Sequence, residues 1–463
     1  MDQLPVTRLG AALLLLAACG GPRSSGTPGP DDAATLAHVT PVAERIAAVS
    51  ERTPMLAWDR LTALVERYPR RINGSTALDG ALTWAVAQMR DDGIDDVRLE
   101  PVLVPHWVRG TERARVIRPR ERSLAISTLG GSVGTHGTVR APLVTFASLD
   151  DLRASTRPLD GAVVFVNHRM PPFDDVHDDP GYRYGVQARL HAASAAARRG
   201  AAAVLVRSVT AVVSPHPHTG ALAYDTDAPT IPAAALSTTD ADALAELVAH
   251  DHVQVELSLG AHMLPDAPSA NVVGELRGRE RADEIVLLGA HIDSWDVGPG
   301  AADDGAGVVA VVEALRLLRQ SGLVPRRTVR VVLFTSEEYL LAGARAYHER
   351  HAAERHVAAF ETDYGMGAPD AIGAGTADGA RAMAPLGPAF ARFGIRRFLP
   401  RAFGADVEPV VAAGAAAFDL EPDGRHYFDV HHSTDDDLDA IRPEDLRRNA
   451  GAIALLAWVL AER

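Results

Sequence analysis

The sequence predicts an α/β protein whose core is built on a mostly parallel β-sheet. Strand-like and helix-like segments alternate over residues 266–463, which is the arrangement typical of parallel sheets. Residues 284–289 form an almost uninterrupted apolar run, as expected for a strand covered on both faces. A mostly apolar helix is predicted over 308–318, and a second buried strand over 328–334.

The region from 36 to 134 is predicted to be a first part of this core. Leu82, Val86 and Met89 recur at spacings of four and three residues, which indicates an amphipathic helix. The following run, 97–104, has the composition of a strand.

Residues 135–265 differ in character from both neighbouring regions. Short β-rich runs at 162–166 and 203–206 are separated by loops rich in proline, aspartate and histidine, with a helix-like stretch at 187–199 between them. We expect a separate, inserted mixed α/β module with a small core of its own.

The N-terminus has the pattern of a targeting segment. After Arg8 comes an apolar stretch, too short to span a bilayer, that ends at the only cysteine, Cys19. The end of this stretch resembles a bacterial lipobox. We therefore expect a signal peptide over 1–18, a lipid on Cys19, a flexible tether over 19–35 and an extracytoplasmic, membrane-anchored protein on the periplasmic or cell-surface side. The alternative is an ordinary signal peptide with a chance cysteine.

Composition excludes several classes of function. The net charge of −14 over 463 residues argues against nucleic acid as a partner. All 46 basic residues are arginine, so Schiff-base and P-loop chemistry, which need a lysine, are excluded.

Acidic residues are concentrated where the predicted core strands end. Because ligands bind beyond the carboxyl ends of strands in α/β sheets, chemistry is expected there. So many buried acids would partly protonate unless cations were bound among them. Histidine nitrogen with carboxylate oxygen and no thiolate favours zinc, and the balance of charges favours two ions. The residues are His291, Asp293, Asp296, Asp303, Asp304, Glu337, Glu338 and Asp363, with the pair His431 and His432 further along.

Several segments resemble the zinc aminopeptidase and glutamate carboxypeptidase family, and the similarity extends over nearly the whole mature chain. The segments are 104–110, 214–220, 289–307 and 427–433. The resemblance implies an α/β/α zinc-exopeptidase core with an inserted protease-associated domain, two Zn²⁺ ions per chain, short peptides as substrates and a possible homodimer.

The resemblance also implies which side chains hold the two ions. Asp303 would bridge both of them. Glu338 and His432 would complete one site, and His291 and Asp363 the other.

Further roles follow from the same resemblance. Glu337 would be the general base that takes a proton from the bridging water, which reacts as hydroxide, and passes it to the leaving amine. Asp293 would hydrogen-bond the far nitrogen of His291 and so fix its tautomer. A cis peptide is implied after the bridging aspartate. Of the histidine pair, His432 fits the family spacing better than His431, which is expected to be a packing or hydrogen-bonding neighbour.

Substrate contacts are less well defined by the sequence. Arg207 and His218 are candidates for binding a substrate carboxylate, with an interface salt bridge as the alternative. Tyr427 is a candidate for stabilising an oxyanion or for packing beneath the metal loop.

Three alternatives to an exopeptidase of dipeptides or short peptides remain open. One is an inactive binding module on the same fold, and another is a single-zinc acyl transferase similar to glutaminyl cyclases. The third is a serine hydrolase, since 130–134 matches G-x-S-x-G around Ser132. That motif needs a helix after it, whereas turn-like and then β-like residues follow here.

Overall fold

The computed structural model describes residues 30–463, which form two eight-stranded sheets with helices packed against both. The predicted signal peptide, Cys19 and most of the predicted tether lie outside this range. The strands are β1 (Asp95–Val108), β2 (Glu112–Arg118), β3 (Arg122–Leu124), β4 (Ile126–Thr128), β5 (Val139–Phe146), β6 (Val163–Val166), β7 (Ala203–Arg207), β8 (Ala233–Leu236), β9 (Gln254–Leu259), β10 (His262–Leu276), β11 (Arg281–His291), β12 (Arg327–Phe334), β13 (Arg355–Glu361), β14 (Ala371–Gly373), β15 (Arg397–Leu399) and β16 (Ala416–Glu421). The helices are α1 (Pro30–Arg52), α2 (Leu56–Arg67), α3 (Thr76–Asp91), α4 (Leu149–Ala154), α5 (Tyr182–Ala197), α6 (Thr238–His250), α7 (Ala306–Gln320), α8 (Ala342–Arg350), α9 (Ala377–Met383), α10 (Gly387–Phe390), α11 (Glu408–Ala412), α12 (Tyr427–Val430) and α13 (Pro443–Glu462).

The first sheet has the strand order β1-β10-β12-β11-β13-β16-β14-β15. Its centre, β12-β11-β13-β16, is parallel, while β1 and β10 add an antiparallel edge. Apolar side chains of α3, α7 and α13 cover one face of the sheet, with α1 packed on α7 and α13, and α8 and α11 cover the other face. The predicted α/β core with a mostly parallel sheet is confirmed.

The predicted helices and strands of this core lie close to their expected positions. Helix α3 buries Leu82, Val86 and Met89, and it begins after Ser75, whose side chain accepts the N–H of Leu78. Helix α7 is buried from Ala306 through Leu318 because it packs on β11 and β12 and is flanked by α13, α2 and α1.

The second sheet has the order β3-β2-β9-β5-β6-β7-β8-β4 and its own apolar cores on both faces. It is inserted between β1 and β10, which pair with each other in the first sheet. The insertion therefore runs from Glu112 to Leu259, not from 135 to 265 as predicted. The reason is that β2 and β4 pair with β9 and β8 of the second sheet, so residues before 135 already belong to it.

The glycine-rich segment 130–134 lies inside this second module. The N–H of Gly130 donates to the carbonyl of Gly220 at 3.0 Å, and the hydroxyl of Ser132 accepts the N–H of Ala233 at 2.8 Å. The segment thus connects parts of the module through hydrogen bonds. A nucleophile elbow requires a helix after the serine, and none follows here.

Two further findings concern the helices. Helix α1 begins at Pro30, inside the predicted tether 19–35. Within residues 30–463, none of the helices combines the length and the apolar character that crossing a bilayer requires.

Candidate metal centre

The side chains predicted to bind metal come together at one edge of the first sheet. His291 is the last residue of β11, Glu338 follows the end of β12, and Asp363 follows the end of β13. Since β12, β11 and β13 are parallel neighbours, their carboxyl ends open onto the same place.

One group of donor atoms surrounds His291, which is fully buried. Its Nε2 lies 3.2 Å from Oδ1 of Asp303 and 3.3 Å from Oδ1 of Asp363. Its Nδ1 lies 3.1 Å from the main-chain carbonyl oxygen of Asp293. Because a carbonyl can only accept, the ring proton is on Nδ1, and the lone pair of Nε2 faces the two carboxylates.

A second group surrounds His432. Its Nε2 lies 3.2 Å from Oδ2 of Asp303 and 3.1 Å from Oε2 of Glu338. The two oxygens of Asp303 therefore each face a different histidine, as the predicted bridging role requires.

Without a positive charge between them, the lone pairs of these histidine nitrogens and carboxylate oxygens would face one another. Asp303 Oδ2 is buried and has no hydrogen-bond donor among the described residues, as expected of an oxygen that binds a metal. Although burial disfavours the imidazolium, the charges of Asp363 and Asp303 raise the pKa of His291 well above its usual value. The site attracts cations, and its nitrogen and carboxylate donors fit zinc.

Neighbouring carboxylates hold the loop that carries Asp303. Asp304 accepts the N–H groups of His291 and Gly307, both at 3.1 Å. Asp436 accepts the N–H groups of Ala302 at 2.6 Å and Asp303 at 3.2 Å. The peptide between Asp303 and Asp304 is cis, as the resemblance implies. Although Asp304 lies near enough to His291 and Asp363 to be a ligand, both its oxygens are engaged by main-chain donors.

The predicted hydrogen bond from the ring of His291 to the carboxylate of Asp293 is absent. The closest approach of the carboxylate to Nδ1 is 3.9 Å, and the main-chain carbonyl of Asp293 takes the bond instead. The carboxylate of Asp293 accepts the N–H of Glu337 at 3.1 Å and of Glu338 at 3.3 Å. Asp293 thus positions the two glutamates, because its side chain points along the end of β12 and not back to the ring.

Glu337 lies at the same edge of the sheet, directly before Glu338. Burial, together with the charges of Asp363 and Asp293, raises the pKa of Glu337 well above its usual value. Glu337 therefore holds a proton more readily than an exposed glutamate does.

His431 is also close to the centre. Its ring stacks on that of His432 at 3.5 Å between centroids, and its Nε2 lies 3.6 Å from Oδ2 of Asp303. It could reach a metal together with Asp303 and His432, but His432 alone also contacts Glu338.

Tyr427 packs against His431 at 5.1 Å and against Tyr364 at 5.4 Å between ring centroids, underneath the histidine pair.

The two candidates for substrate binding, Arg207 and His218, are both buried. Arg207 donates to Asp242 Oδ1 at 2.8 Å and to Asn167 at 3.2 Å, within the second module. His218 donates from Nδ1 to the carbonyl of His431 at 2.7 Å, and burial lowers the pKa of His218 to about 4. His218 therefore supports the histidine pair, and Arg207 is paired inside its own module.

Arg71 is a residue of the centre that the sequence did not reveal. Its guanidinium is fully buried and donates to the carbonyls of Ile292 at 2.8 Å, Pro299 at 2.7 Å and Gly300 at 2.9 Å. It thereby holds both ends of the loop that runs from His291 toward Asp303. The local sequence around Arg71 contains no motif, so only the fold shows this role.

The fold and the site define a class of protein, α/β enzymes with metal-binding groups at the carboxyl ends of their strands. Residues 271–457 match the family model described as peptidase family M28. The chain is 34% identical over 411 residues to carboxypeptidase Q of Mus musculus, covering 88% of this chain and 86% of that protein. It is 33% identical over 420 residues to carboxypeptidase Q of Homo sapiens, with coverages of 90% and 87%.

Solved structures agree with these matches. A peptidase M28 precursor from Shewanella amazonensis SB2B superimposes with a TM-score of 0.85 at 35% identity, covering 93% of this chain and 98% of that one. BSAP, a zinc aminopeptidase from Bacillus subtilis, shares the fold with a TM-score of 0.65 at 19% identity, with coverages of 89% and 95%. The chain belongs to peptidase family M28 and is a peptidase.

Proposed function

We propose that the protein is a dinuclear zinc exopeptidase that hydrolyses dipeptides or short peptides. The observation that carries the proposal is the position of Asp303, whose two carboxylate oxygens each lie 3.2 Å from a different histidine Nε2. Two cations sharing one carboxylate would balance the buried acids on both sides. Zinc ions held there would lower the pKa of a bound water and polarise the scissile carbonyl.

The protein's own residues would bind and orient the reacting groups. His291 and Asp363 would hold one ion and His432 and Glu338 the other, with Asp303 common to both. Asp293 fixes the main chain of both glutamates through the bonds described above, and the carboxylate of Glu338 faces His432 at the metal site.

Glu337 would take the proton from the attacking water and deliver it to the leaving amine. Burial and the neighbouring carboxylates raise the pKa of Glu337, which favours uptake of the proton.

The test of this function is a peptide panel with zinc-loaded enzyme, using free dipeptides and peptides blocked at either end. Cleavage lost only when the C-terminus is blocked identifies a carboxypeptidase, and cleavage lost only when the N-terminus is blocked identifies an aminopeptidase. Loss with either block identifies a dipeptidase. Dialysis against a strong chelator should abolish cleavage, and added Zn²⁺ should restore it. No cleavage by the metal-loaded protein would contradict the proposal.

The same preparations separate the two alternatives. An inactive binding module of this fold would bind peptides without turning them over. A single-zinc acyl transferase related to glutaminyl cyclases would cyclise an N-terminal glutamine and hold one zinc per chain. The complete pair of donor groups around Asp303 favours the peptidase over both.

We further propose that residues 112–259 are a protease-associated domain. Support comes from their insertion between paired strands of the core and from the contacts that His218 makes with the histidine pair.

We also propose that the chain is exported, lipidated on Cys19 and held on the periplasmic or cell-surface side of a bacterial membrane, where it acts as a homodimer. Mass spectrometry of the mature N-terminus tests the lipid, and a Cys19→Ala protein should be released from membranes. Sedimentation of a chain lacking residues 1–29 tests the dimer, which a monomeric mass would contradict.

A further inference from the structure

A loop of the second module lies directly against His432. This loop, residues 208–232, connects β7 to β8. The N–H of Thr219 donates to the carbonyl of His432 at 2.9 Å, and the carbonyl of Thr219 lies 3.4 Å from Nδ1 of the same ring. Thr219 therefore contacts the main chain and the side chain of one proposed ligand.

The proposed role of His432 as a metal ligand assigns the proton of its ring to Nδ1. Nε2 faces Asp303 and Glu338, so it is the nitrogen available to a metal, and the proton lies on Nδ1. The carbonyl of Thr219 is then its acceptor. Arg189 Nη1 is 3.3 Å from the same Nδ1 and 3.4 Å from the carbonyl of Thr219. Nδ1 of His432 and Nη1 of Arg189 then both carry hydrogen, so Arg189 cannot donate to the ring. Both groups donate instead to the carbonyl of Thr219.

The next residue, Gly220, leaves no room for a side chain beside His432. It has a φ of +127°, and a Cβ built on it would lie 2.4 Å from Nη1 of Arg189 and 2.7 Å from Nδ1 of His432. Any side chain here must displace one of these groups. The packing thus demands glycine for its lack of a Cβ as well as for its φ.

His432 has an unusual main-chain conformation of its own. Its φ is +61°, in the left-handed region, where a residue with a side chain is strained and persists only when its surroundings hold it. The hydrogen bond from Thr219 is one such constraint, and it comes from the other module.

In the opposite half of the site, the hydrogen bonds that orient His291 come from the core. His291 is bonded through its ring to Asp293 and through its N–H to Asp304, at 3.1 Å in both cases. Both partners lie in the core that carries the first sheet.

We propose that the Thr219–Gly220 segment is a positioning element for His432, which makes the second module part of the metal centre. The inference rests on the proposed function in taking His432 as a zinc ligand. It goes further by stating that the two halves of the site are held by different modules. Disturbing the segment would weaken the binding of the ion at His432 and Glu338 and would leave the ion at His291 and Asp363 in place.

The test compares Gly220→Ala with Gly137→Ala. Gly137 lies in the same module with a φ of +126°, but a Cβ added there would meet nothing within 4 Å, so the variant reproduces the main-chain strain without the collision. Both proteins are loaded with zinc and titrated with a competing chelator, and bound zinc is counted by mass spectrometry of the metal.

We expect Gly220→Ala to keep one ion with wild-type affinity and to bind the other 10- to 100-fold more weakly, as when a group orienting a ligand is lost. Gly137→Ala should bind both ions like the wild type. Wild-type affinity for both ions in Gly220→Ala, or equal loss of both, would overturn the inference. A wild type that binds no zinc would instead overturn the proposed function.

If Gly220→Ala does not fold, the comparison is repeated in an Arg189→Ala background. That change removes the atom nearest to the new methyl group and leaves His432 as the group displaced. The same loss of one ion is expected relative to Arg189→Ala alone, and retention of both would overturn the inference.

Discussion

The Nε–H of Arg71 donates a hydrogen bond to the main-chain carbonyl of Ile292, next to His291, at 2.8 Å. The other nitrogens of this guanidinium donate to carbonyls of the same loop and of Tyr68, the last at 3.3 Å. A buried arginine thus connects the end of α2 to the loop that carries the metal-binding groups. Its positive charge also lies near Asp436, Asp293 and other acids of the centre.

Arg71→Lys should destabilise the fold and weaken zinc binding. An ammonium cannot reach all of these carbonyls, and each buried carbonyl left without a donor costs about 1–3 kcal/mol. We expect a loss of about 3 kcal/mol in the free energy of unfolding, measured by urea denaturation. Arg67→Lys, at an exposed position in the last turn of α2, is the control. Equal stabilities of the two proteins would show that the loop does not depend on Arg71.

Glu337→Gln should remove the proposed general base and leave the metal in place. Because Asp293 contacts the main-chain N–H of Glu337, its bond survives the substitution. We expect kcat to fall about 10²- to 10⁴-fold, with zinc content unchanged. Glu349→Gln, at an exposed position in α8, is the control. Near-wild-type kcat in Glu337→Gln would contradict this assignment.

Stability in acid should depend on Glu100 of β1. Burial alone would raise the pKa of Glu100, but the hydrogen bonds from His351 and Arg350 hold this pKa at about 2. The folded carboxyl has a lower pKa than the unfolded one, whose usual value is 4.5, so its stabilisation is complete above about pH 4.5 and is lost as the pH falls toward about 2.

The measurement is the free energy of unfolding of wild type and Glu100→Gln between pH 2 and pH 7. At neutral pH the variant should be less stable by at most about 3 kcal/mol, and the two curves should converge in acid. Parallel curves would show that the Glu100–His351 contact does not stabilise the fold.

Arg207→Met should affect stability and leave KM unchanged. Arg207 is paired with Asp242 within the second module, so its removal leaves no substrate group without a partner. Since the side chain of Asp242 is 37% exposed and can turn to water, a loss of about 1 kcal/mol is expected. A tenfold rise in KM at unchanged stability would return Arg207 to the substrate site.

The parts of the fold that the sequence predicted are those with strong local patterns. The apolar runs of β11 and β12 and the periodic apolar residues of α3 are local signals, and the metal-binding groups follow directly from the ends of those strands. The boundary of the second module has no such signal. Strand β2 is compatible with either sheet, and only its pairing with β9 assigns it.

The contacts that support the site were not predictable for the same reason. Arg71 lies 221 positions before the carbonyl of Ile292 that it holds, and Thr219 lies 213 positions before His432. The direction in which the side chain of Asp293 points also depends on where β12 ends relative to β11. A motif specifies which side chains can bind metal, while the partners that orient them depend on tertiary packing.

The central claim is that Asp303 is shared by two cations, and counting zinc tests it most directly. Purified wild type should hold two zinc ions per chain. His291→Ala should hold one, at His432 and Glu338, and Asp303→Ala should hold close to none, because both sites lose a ligand. A wild type with a single ion, or an Asp303→Ala protein that keeps both, would contradict the account.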